Sequence, residues 1–155
     1  MTVIQGQWQV KDSPRIGIVV SQFNQNISEA LLEGCLSTLT RLGVSNDSLD
    51  VIWVPGAFEI PGTVKQILDR YDAVITLGAV IRGETPHFEY VAGAVAAGIA
   101  DLARTGPIPI IFGVLTTNTA EEARDRSGGK SGNKGSDGAL AALEMISLYQ
   151  KLSGA

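Results

Sequence analysis

The sequence has 155 residues and a mass of 16.3 kDa, which is enough for one ordinary domain and too little for two. Hydrophobic residues make up 45% of the chain and charged residues 18%, so a compact globular protein is expected and a disordered or fibrous one is excluded. Twelve Lys and Arg against sixteen Asp and Glu give a net charge of -4 and a pI near 4.9, which argues against a nucleic-acid partner.

The first residues contain neither a signal-peptide pattern nor the ~20 consecutive apolar residues of a membrane helix. We therefore expect a cytoplasmic protein without a membrane partner. Cys35 is the only cysteine and His87 the only histidine, which leaves no disulfide framework and no zinc site of the usual Cys/His kind within one chain. The expected chemistry is free of metal.

Apolar runs and helical patterns alternate along the chain. The runs are rich in Val and Ile without polar alternation, which is typical of strands buried on both faces. In chain order we predict a strand at 15–20, a helix at 27–42, a strand at 50–54, a helix at 59–70, a strand at 73–81, a helix at 86–104, a strand at 108–115, a short helix at 119–126, a loop at 127–135 and a helix at 139–152. Such alternation indicates βαβ units with right-handed crossovers. The predicted fold class is α/β, a single-domain flavodoxin-like three-layer sandwich with a four-stranded parallel sheet, over residues 1–155.

Local signals refine three of these segments. Asn26 and Glu29 are spaced like a capping pair at the start of the first helix. The helix at 86–104 carries Ala and Gly where its solvent side should be polar, which favours packing against another helix. The amino-terminal arm, residues 1–14, contains the alternating segment QGQWQV at 5–10, which we expect to pair at a sheet edge, with a neighbouring subunit as the candidate partner.

The segments that follow the predicted strands are the place to look for a site, because ligands bind beyond the carboxyl ends of parallel strands. These segments supply two aromatic rings, Phe23 and Phe58, the carboxylate of Glu59 and the only imidazole, His87. A Phe in a loop is often a satellite of the core, and at a binding edge it can stack on a ligand. The sequence leaves both interpretations open.

His87 is the candidate for proton transfer, although a lone histidine often has no chemical task. Thr85 is placed to cap the helix and Pro86 to be its first residue, which puts His87 in the first turn. The positive end of the helix dipole disfavours imidazolium, so we expect a neutral ring that can accept a proton and return it. Position alone leaves the catalytic and the structural interpretations about equal.

The glycine-rich segment at 127–135 (SGGKSGNKG) is a candidate phosphate-binding loop. It is not a P-loop, because Arg124 stands where the first glycine is needed and a helix precedes the segment. Backbone N–H groups with Arg126, Lys130 or Lys134 can still hold a phosphate. A solvated connector whose lysines only aid solubility is the alternative.

Several motifs in order resemble one enzyme family. They are Phe23-Asn24 after the first strand, VPGAFEIP at 54–61, LGAVIRGETPHFEYV at 77–91, FGVLTT at 112–117, ARDRSGGKSGNKG at 123–135 and ALEMI at 142–146. Over nearly its whole length the chain thus resembles the 6,7-dimethyl-8-ribityllumazine synthase family, which serves riboflavin biosynthesis.

The resemblance implies a transferase that needs no metal and no cofactor. It condenses 5-amino-6-(D-ribitylamino)uracil with 3,4-dihydroxy-2-butanone 4-phosphate to give 6,7-dimethyl-8-ribityllumazine, phosphate and water. His87 is then the proton acceptor. The implied pyrimidine-binding residues are Phe23, Ala57, Phe58, Glu59, Ala79, Val80, Ile81, Phe112 and Lys134, and the implied butanone phosphate ligands are Glu84, Thr85 and Arg126.

The resemblance also implies partners. Phe112, Arg126 and Lys134 are expected to reach the site of the adjacent subunit in a homopentamer. The short connector at 127–135 favours a 60-subunit icosahedral shell of twelve pentamers over free pentamers. Riboflavin synthase is implied as a pathway partner.

Two positions depart from the family pattern. Gln22 stands where an arginine often precedes the stacking phenylalanine, and Asp137 stands where a glutamate commonly orients the phosphate-binding arginine. Two competing hypotheses remain at this point: a non-catalytic flavin- or lumazine-binding flavodoxin-like protein, and a shell protein with vestigial catalysis. A proton acceptor and a phosphate clamp argue against the first, and the retention of every matched catalytic position argues against the second, although the family resemblance allows one chain to be both shell and enzyme.

Overall fold

The computed structural model describes residues 1–154 and confirms the predicted α/β fold. In chain order the elements are β1 (Ile16–Ser21), α1 (Gln25–Arg41), β2 (Leu49–Val54), α2 (Ile60–Ile67), β3 (Ala73–Ile81), α3 (His87–Thr105), β4 (Ile110–Thr117), α4 (Ala120–Asp125), β5 (Ser127–Gly129), β6 (Gly132–Asn133) and α5 (Lys134–Leu152). Short 3₁₀ turns at Asn46–Ser48 and Ala57–Glu59 precede β2 and α2. Across residues 1–154, no helix is both long and apolar enough to cross a lipid bilayer.

The main sheet is parallel throughout, with the strand order β2-β1-β3-β4. Its register places Val20 of β1 opposite Leu77 of β3, and Ile81 of β3 opposite Thr117 of β4. Because the strands run in one direction, their carboxyl ends all emerge at one edge of the sheet.

Alternate residues of the inner strands enter two separate cores. Ile18 and Ile75 belong to a core with Leu31 of α1 and with residues of α5. Val19 and Val74 instead belong to a core formed with α2 and α3. Successive side chains of a strand point to opposite faces, so each face of the sheet needs its own helical layer. The three-layer sandwich predicted from the sequence is the result.

The segment at 127–135 differs from the prediction of a loop. Its first part is an antiparallel hairpin of β5 and β6, in which Ser127 pairs with Asn133. Helix α5 then begins at Lys134 and not at residue 139. The glycines and lysines of this segment are typical of a loop. Its hairpin and helix start depend instead on contacts with a distant part of the chain, which a local sequence pattern does not show.

Asn133 and Gly135 explain the early start of α5. The side-chain oxygen of Asn133 accepts hydrogen bonds from the N–H groups of Gly135, at 2.8 Å, and Ser136, at 3.2 Å, which caps the helix. The Asn133 amide donates to the backbone oxygen of Ala30 in α1, at 3.1 Å. A Cβ atom on Gly135 would overlap the backbone carbonyl of Leu31, so the glycine lets α5 touch α1.

The amino-terminal arm, residues 1–14, forms no helix or strand in the described chain. It lies along α5, where a Cβ on Gly6 would overlap the carbonyl of Glu144 and where Lys151 Nζ donates to the backbone oxygen of Gln5 at 2.7 Å. The expected pairing of this arm with a neighbouring subunit stays a prediction.

The contact of Gly135 with α1 generates a test of the packing. Gly135→Ala is expected to lower the free energy of unfolding by about 1–3 kcal/mol, because the added methyl group must push two packed helices apart. The matched control is Gly62→Ala in α2, where a Cβ meets no atom within 4 Å. That variant should be neutral or stabilised by about 0.5–1 kcal/mol, since alanine favours the helix. Urea unfolding at one fixed protein concentration compares the two, and an unchanged midpoint for Gly135→Ala would contradict the packing argument.

Candidate active site

A cavity of about 600 Å³ opens at the carboxyl edge of the sheet. Its walls come from the segments after β1 and β2, from the end of β3 and from the start of α3. The lining residues are Phe23, Asn24, Pro55, Gly56, Ala57, Phe58, Glu59, Ala79, Val80, Ile81, Gly83, Thr85, His87, Phe88, Tyr90 and Val91. Its volume is typical of a site for a small molecule. The cavity therefore lies where the strand directions predicted a site.

Phe23 and Phe58 are large aromatic side chains on the cavity wall. Their exposed fractions are 71% and 62%, so neither ring is a satellite of the core. The backbone N–H of Phe23 donates to the oxygen of Pro55 at 3.1 Å, which joins the segments after β1 and β2. Of the two interpretations that the sequence left open, the exposed rings favour ligand stacking, because an aromatic face in a cavity can stack on a flat heterocycle.

Asn24 is a site residue to which the sequence analysis gave no role. Its backbone is left-handed, with φ of 61°, a conformation that Asn tolerates better than most residues. Its Nδ2 donates to the backbone oxygen of Ala79 at 3.0 Å, and its own backbone oxygen accepts the N–H groups of Ile27 and Ser28 as α1 begins. Asn24 thus ties the segment that carries Phe23 to the end of β3.

The predicted capping pair of Asn26 and Glu29 is wrong. Helix α1 begins at Gln25, and the Glu29 carboxylate accepts a hydrogen bond from the Gln25 side chain at 2.8 Å. Asn is a common residue at the position just before a helix, and this preference could have identified Asn24. Asn26, two residues later, matches the same preference, and the sequence pattern predicted it instead.

Glu59 closes the turn after β2. Its Oε2 accepts the N–H of Gly56 at 3.0 Å, and its backbone oxygen accepts the hydroxyl of Thr63 at 2.9 Å. These contacts hold the 3₁₀ turn Ala57–Glu59 against the cavity. A carboxylate fixed at an exposed cavity wall can accept hydrogen bonds from ligand hydroxyl groups.

His87 is the first residue of α3, and the residue that precedes the helix is Pro86. The sequence had placed Thr85 at that preceding position and Pro86 inside the helix, so the predicted start is wrong by one residue. Pro86 has φ of -69° but ψ of 3°, which keeps it outside the helix. The Thr85 hydroxyl accepts the N–H of His87 at a long 3.5 Å. His87 still lies in the first turn and on the cavity wall, as predicted.

The remaining predicted site residues, Glu84, Phe112, Arg126 and Lys134, are not among the cavity's lining residues. Phe112 lies on β4 and is 39% exposed. Arg126 follows α4, where its Nη1 donates to the backbone oxygen of Glu122 at 3.0 Å. The N–H of Lys134 donates to the backbone oxygen of Arg126 at 2.8 Å, so these two residues lie together beside the β5–β6 hairpin.

Within residues 1–154, no group of three or more His, Cys, Asp or Glu side chains is arranged to hold a metal ion. Cys35 is buried in α1, and burial raises the pKa of its thiol to about 12. The thiol is therefore protonated at neutral pH and lies in the core, away from the groups that line the cavity.

Comparison with known proteins decides the family. The sequence model for 6,7-dimethyl-8-ribityllumazine synthase matches residues 13–150. The chain belongs to the 6,7-dimethyl-8-ribityllumazine synthase family. The synthase of Protochlamydia amoebophila is 53% identical over 141 residues, which cover 90% of this chain and 82% of that protein. The synthase of Edwardsiella ictaluri is 48% identical over 155 residues, and that of Clostridium kluyveri 50% over 154; each alignment covers 98% of this chain and 99% of the relative.

The resemblance stated from the motifs is therefore confirmed, as is the expectation of an enzyme. The relatives give no support to a non-catalytic flavin- or lumazine-binding protein. The matches extend over most of the chain, so the lumazine synthase family accounts for the whole sandwich and not for one motif within it.

Proposed function

We propose that this chain catalyses the condensation of 5-amino-6-(D-ribitylamino)uracil with 3,4-dihydroxy-2-butanone 4-phosphate, which yields 6,7-dimethyl-8-ribityllumazine, phosphate and water. One observation carries the assignment to this cavity: Phe23, Glu59 and His87 line the same 600 Å³ space in a chain of the lumazine synthase family. A flat heterocycle with a ribityl chain needs an aromatic face on which the ring can stack and an acceptor for the hydroxyl groups of the chain. The reaction also needs a proton acceptor.

The cavity residues divide between binding and proton transfer. Phe23 stacks on the pyrimidine, while the segments 57–59 and 79–81 hold the ring edge and the ribityl chain. The amine of the pyrimidine attacks the ketone of the butanone phosphate, and loss of water gives an imine. Proton removal then expels phosphate, and the second amine closes the ring with loss of another water. His87 accepts and returns protons in these steps, which is the usual role of an imidazole in general acid–base catalysis.

Phosphate binding in this proposal needs a second chain. Thr85 lines the cavity and Glu84 is the residue just before it in the chain, whereas Arg126 lies outside the lining and follows α4. We assign Arg126, with Phe112 and Lys134, to the cavity of the adjacent subunit in a ring of five. Support comes from α3, in which only Val95 and Ile99 are buried, so a large apolar face awaits a neighbour.

Further proposals concern assembly and location. Twelve pentamers forming a 60-subunit shell, a pathway link to riboflavin synthase as the consumer of the product, and a cytoplasmic location all stay predictions from the sequence. The shell proposal rests on the short length of the connector at 127–135, whose first part is the β5–β6 hairpin.

The first prediction for this site concerns His87. His87→Ala should lower kcat by about 10²–10⁴-fold, because it removes general acid–base catalysis without removing a binding surface. His87→Asn, which keeps a polar side chain but cannot take up a proton at neutral pH, should lose a similar factor. Formation of the lumazine chromophore with both substrates measures the rate. Full activity of either variant between pH 6 and 8 would remove His87 from the mechanism.

The second prediction concerns Arg126. Arg126→Lys keeps the charge but loses the planar fork that grips a phosphate at two oxygens, so the KM for the butanone phosphate should rise by about tenfold or more. Affinity for the pyrimidine should hardly change. Arg124→Lys, in α4 two residues before Arg126, is the matched control and should behave like the unmodified protein. Equal losses for both substrates would mean that Arg126 supports the fold instead of the phosphate.

The third prediction concerns sites shared between subunits. Co-expression of a His87→Ala chain with an Arg126→Ala chain should restore about one quarter of full activity, because a quarter of random neighbours in a ring combine an intact histidine with an intact arginine. Each variant alone should be nearly inactive. A co-assembly no more active than the separate variants would place both residues in one chain's own site.

Sedimentation accompanies that experiment. A shell of sixty 16.3-kDa chains should have a mass of about 1 MDa, and a free pentamer about 80 kDa. A mass near five chains would leave only the pentamer, and an active monomer would overturn the shared site altogether.

A further inference from the structure

Arg82 is the first residue after β3, and it does not belong to the cavity lining. Even so, its side chain contacts both the segment after β4 and the first turn of α3. Between Arg82 and α3 lies the loop at 83–86, which carries Glu84 and Thr85 and leads into His87. No role for this arginine follows from the motif that contains it or from the proposed chemistry.

On one side Arg82 is attached to β4. Its backbone N–H donates to the oxygen of Thr117 at 2.9 Å, which extends the β3–β4 pairing by one residue. Its Nε donates to Oδ1 of Asn118 at 2.9 Å. Asn118 is itself held, because its N–H donates to Oε2 of Glu122 at 3.1 Å. The guanidinium is thus fixed to the end of the sheet.

On the other side Arg82 is attached to the first turn of α3. Its Cζ lies 4.4 Å from the centre of the Phe88 ring, within cation–π range. Its Nη1 forms an ion pair with Oε1 of Glu89. The hydrogen bond from Arg82 is the main reason that the pKa of Glu89 is lowered. Phe88 and Glu89 are the two residues directly after His87.

Stability is a poor explanation for this arrangement. The side chains of Arg82 and Glu89 are 44% and 53% exposed, and ion pairs at such sites contribute little to the free energy of unfolding. At the other end of α3, Arg104 and Asp101 form an ion pair within the helix alone. Arg82 differs from Arg104 because it connects the end of the sheet to the first turn of α3. The effect of its contacts is therefore to fix the position of that turn relative to the sheet.

We propose that Arg82 is a positioning residue that sets the start of α3 against the sheet and thereby holds the His87 imidazole at the cavity. The planar guanidinium can stack on Phe88 while its edge binds Asn118 and Glu89, which lysine cannot do. The inference rests on the proposed function for its catalytic consequence. Its geometric part, the placement of His87, is independent of that function.

Because His87 is the only histidine, its position can be followed without any substrate. Diethyl pyrocarbonate modifies neutral imidazole, and the ultraviolet absorbance of the modified imidazole reports His87 alone. Arg82→Gln should change the rate of this modification by about threefold or more, since the imidazole is no longer held. Arg82→Lys should fall between Arg82→Gln and the unmodified protein. Arg104→Gln is the matched control and should leave the rate unchanged. An unchanged rate in both Arg82 variants, with intact assembly by sedimentation, would overturn the proposal.

Steady-state kinetics test the catalytic part. Arg82→Gln should lower kcat by about 10–100-fold, with a much smaller change in either KM, because a misplaced proton acceptor slows the chemistry more than it weakens binding. In a His87→Ala background the same substitution should cost almost nothing further, since both changes remove one function. A full additional loss there would overturn positioning through His87 and indicate a general structural effect.

The two proposals can fail separately. If His87→Ala were fully active while Arg82→Gln still changed the modification rate, the assigned chemistry of His87 would be wrong and the positioning would stand. If His87→Ala were impaired while Arg82→Gln changed neither the modification rate nor kcat, the chemistry would stand and the positioning would be wrong.

Discussion

The parallel pairing of β3 with β1 on one side and β4 on the other is the constraint on which the site depends. The first seven residues of β3 are buried, so its register is set by the two cores on either face of the sheet. A shift of one residue would exchange the faces of Ile75 and Val74 and expel both from their cores. The register in turn places Ala79 and Ile81 at the carboxyl edge, where the segments after the other strands converge.

Two polar side chains connect β3 to the segments that form the cavity. Asn24 binds the oxygen of Ala79 and thereby ties the Phe23 segment to β3. Arg82 binds Asn118 after β4 and Glu89 in the first turn of α3, next to His87. Phe23, the proposed stacking ring, and His87, the proposed proton acceptor, are thus both positioned relative to β3, although they come from different segments. This is how a site built on loops keeps a defined geometry.

The phosphate-binding part of the proposed site has a different anchor. Arg126 precedes the β5–β6 hairpin in the chain and Lys134 follows it, so the two residues meet at its base, and Asn133 ties that hairpin to Ala30 in α1. The close contact between Gly135 and Leu31 holds the same region against α1. A rigid hairpin on the outer layer can present a cation to a neighbouring subunit, whereas the cavity itself is built by the sheet edge and α3. In the proposal of a site shared between two chains, each part of the site has its own anchor in the fold.

The sequence by itself determined the order of strands and helices, the parallel sheet, the edge at which the site lies and the family. These follow from hydrophobic periodicity, from connection lengths and from motifs, all of which are local along the chain. Tertiary structure alone decided where α5 begins, because Asn133 and Gly135 act through contacts with α1, about a hundred residues away in the chain. It likewise decided that Phe23 and Phe58 are exposed, that Asn24 adopts a left-handed backbone and that Arg82 joins β4 to α3. Periodicity cannot reveal such features, since each depends on two segments being brought together by the sheet.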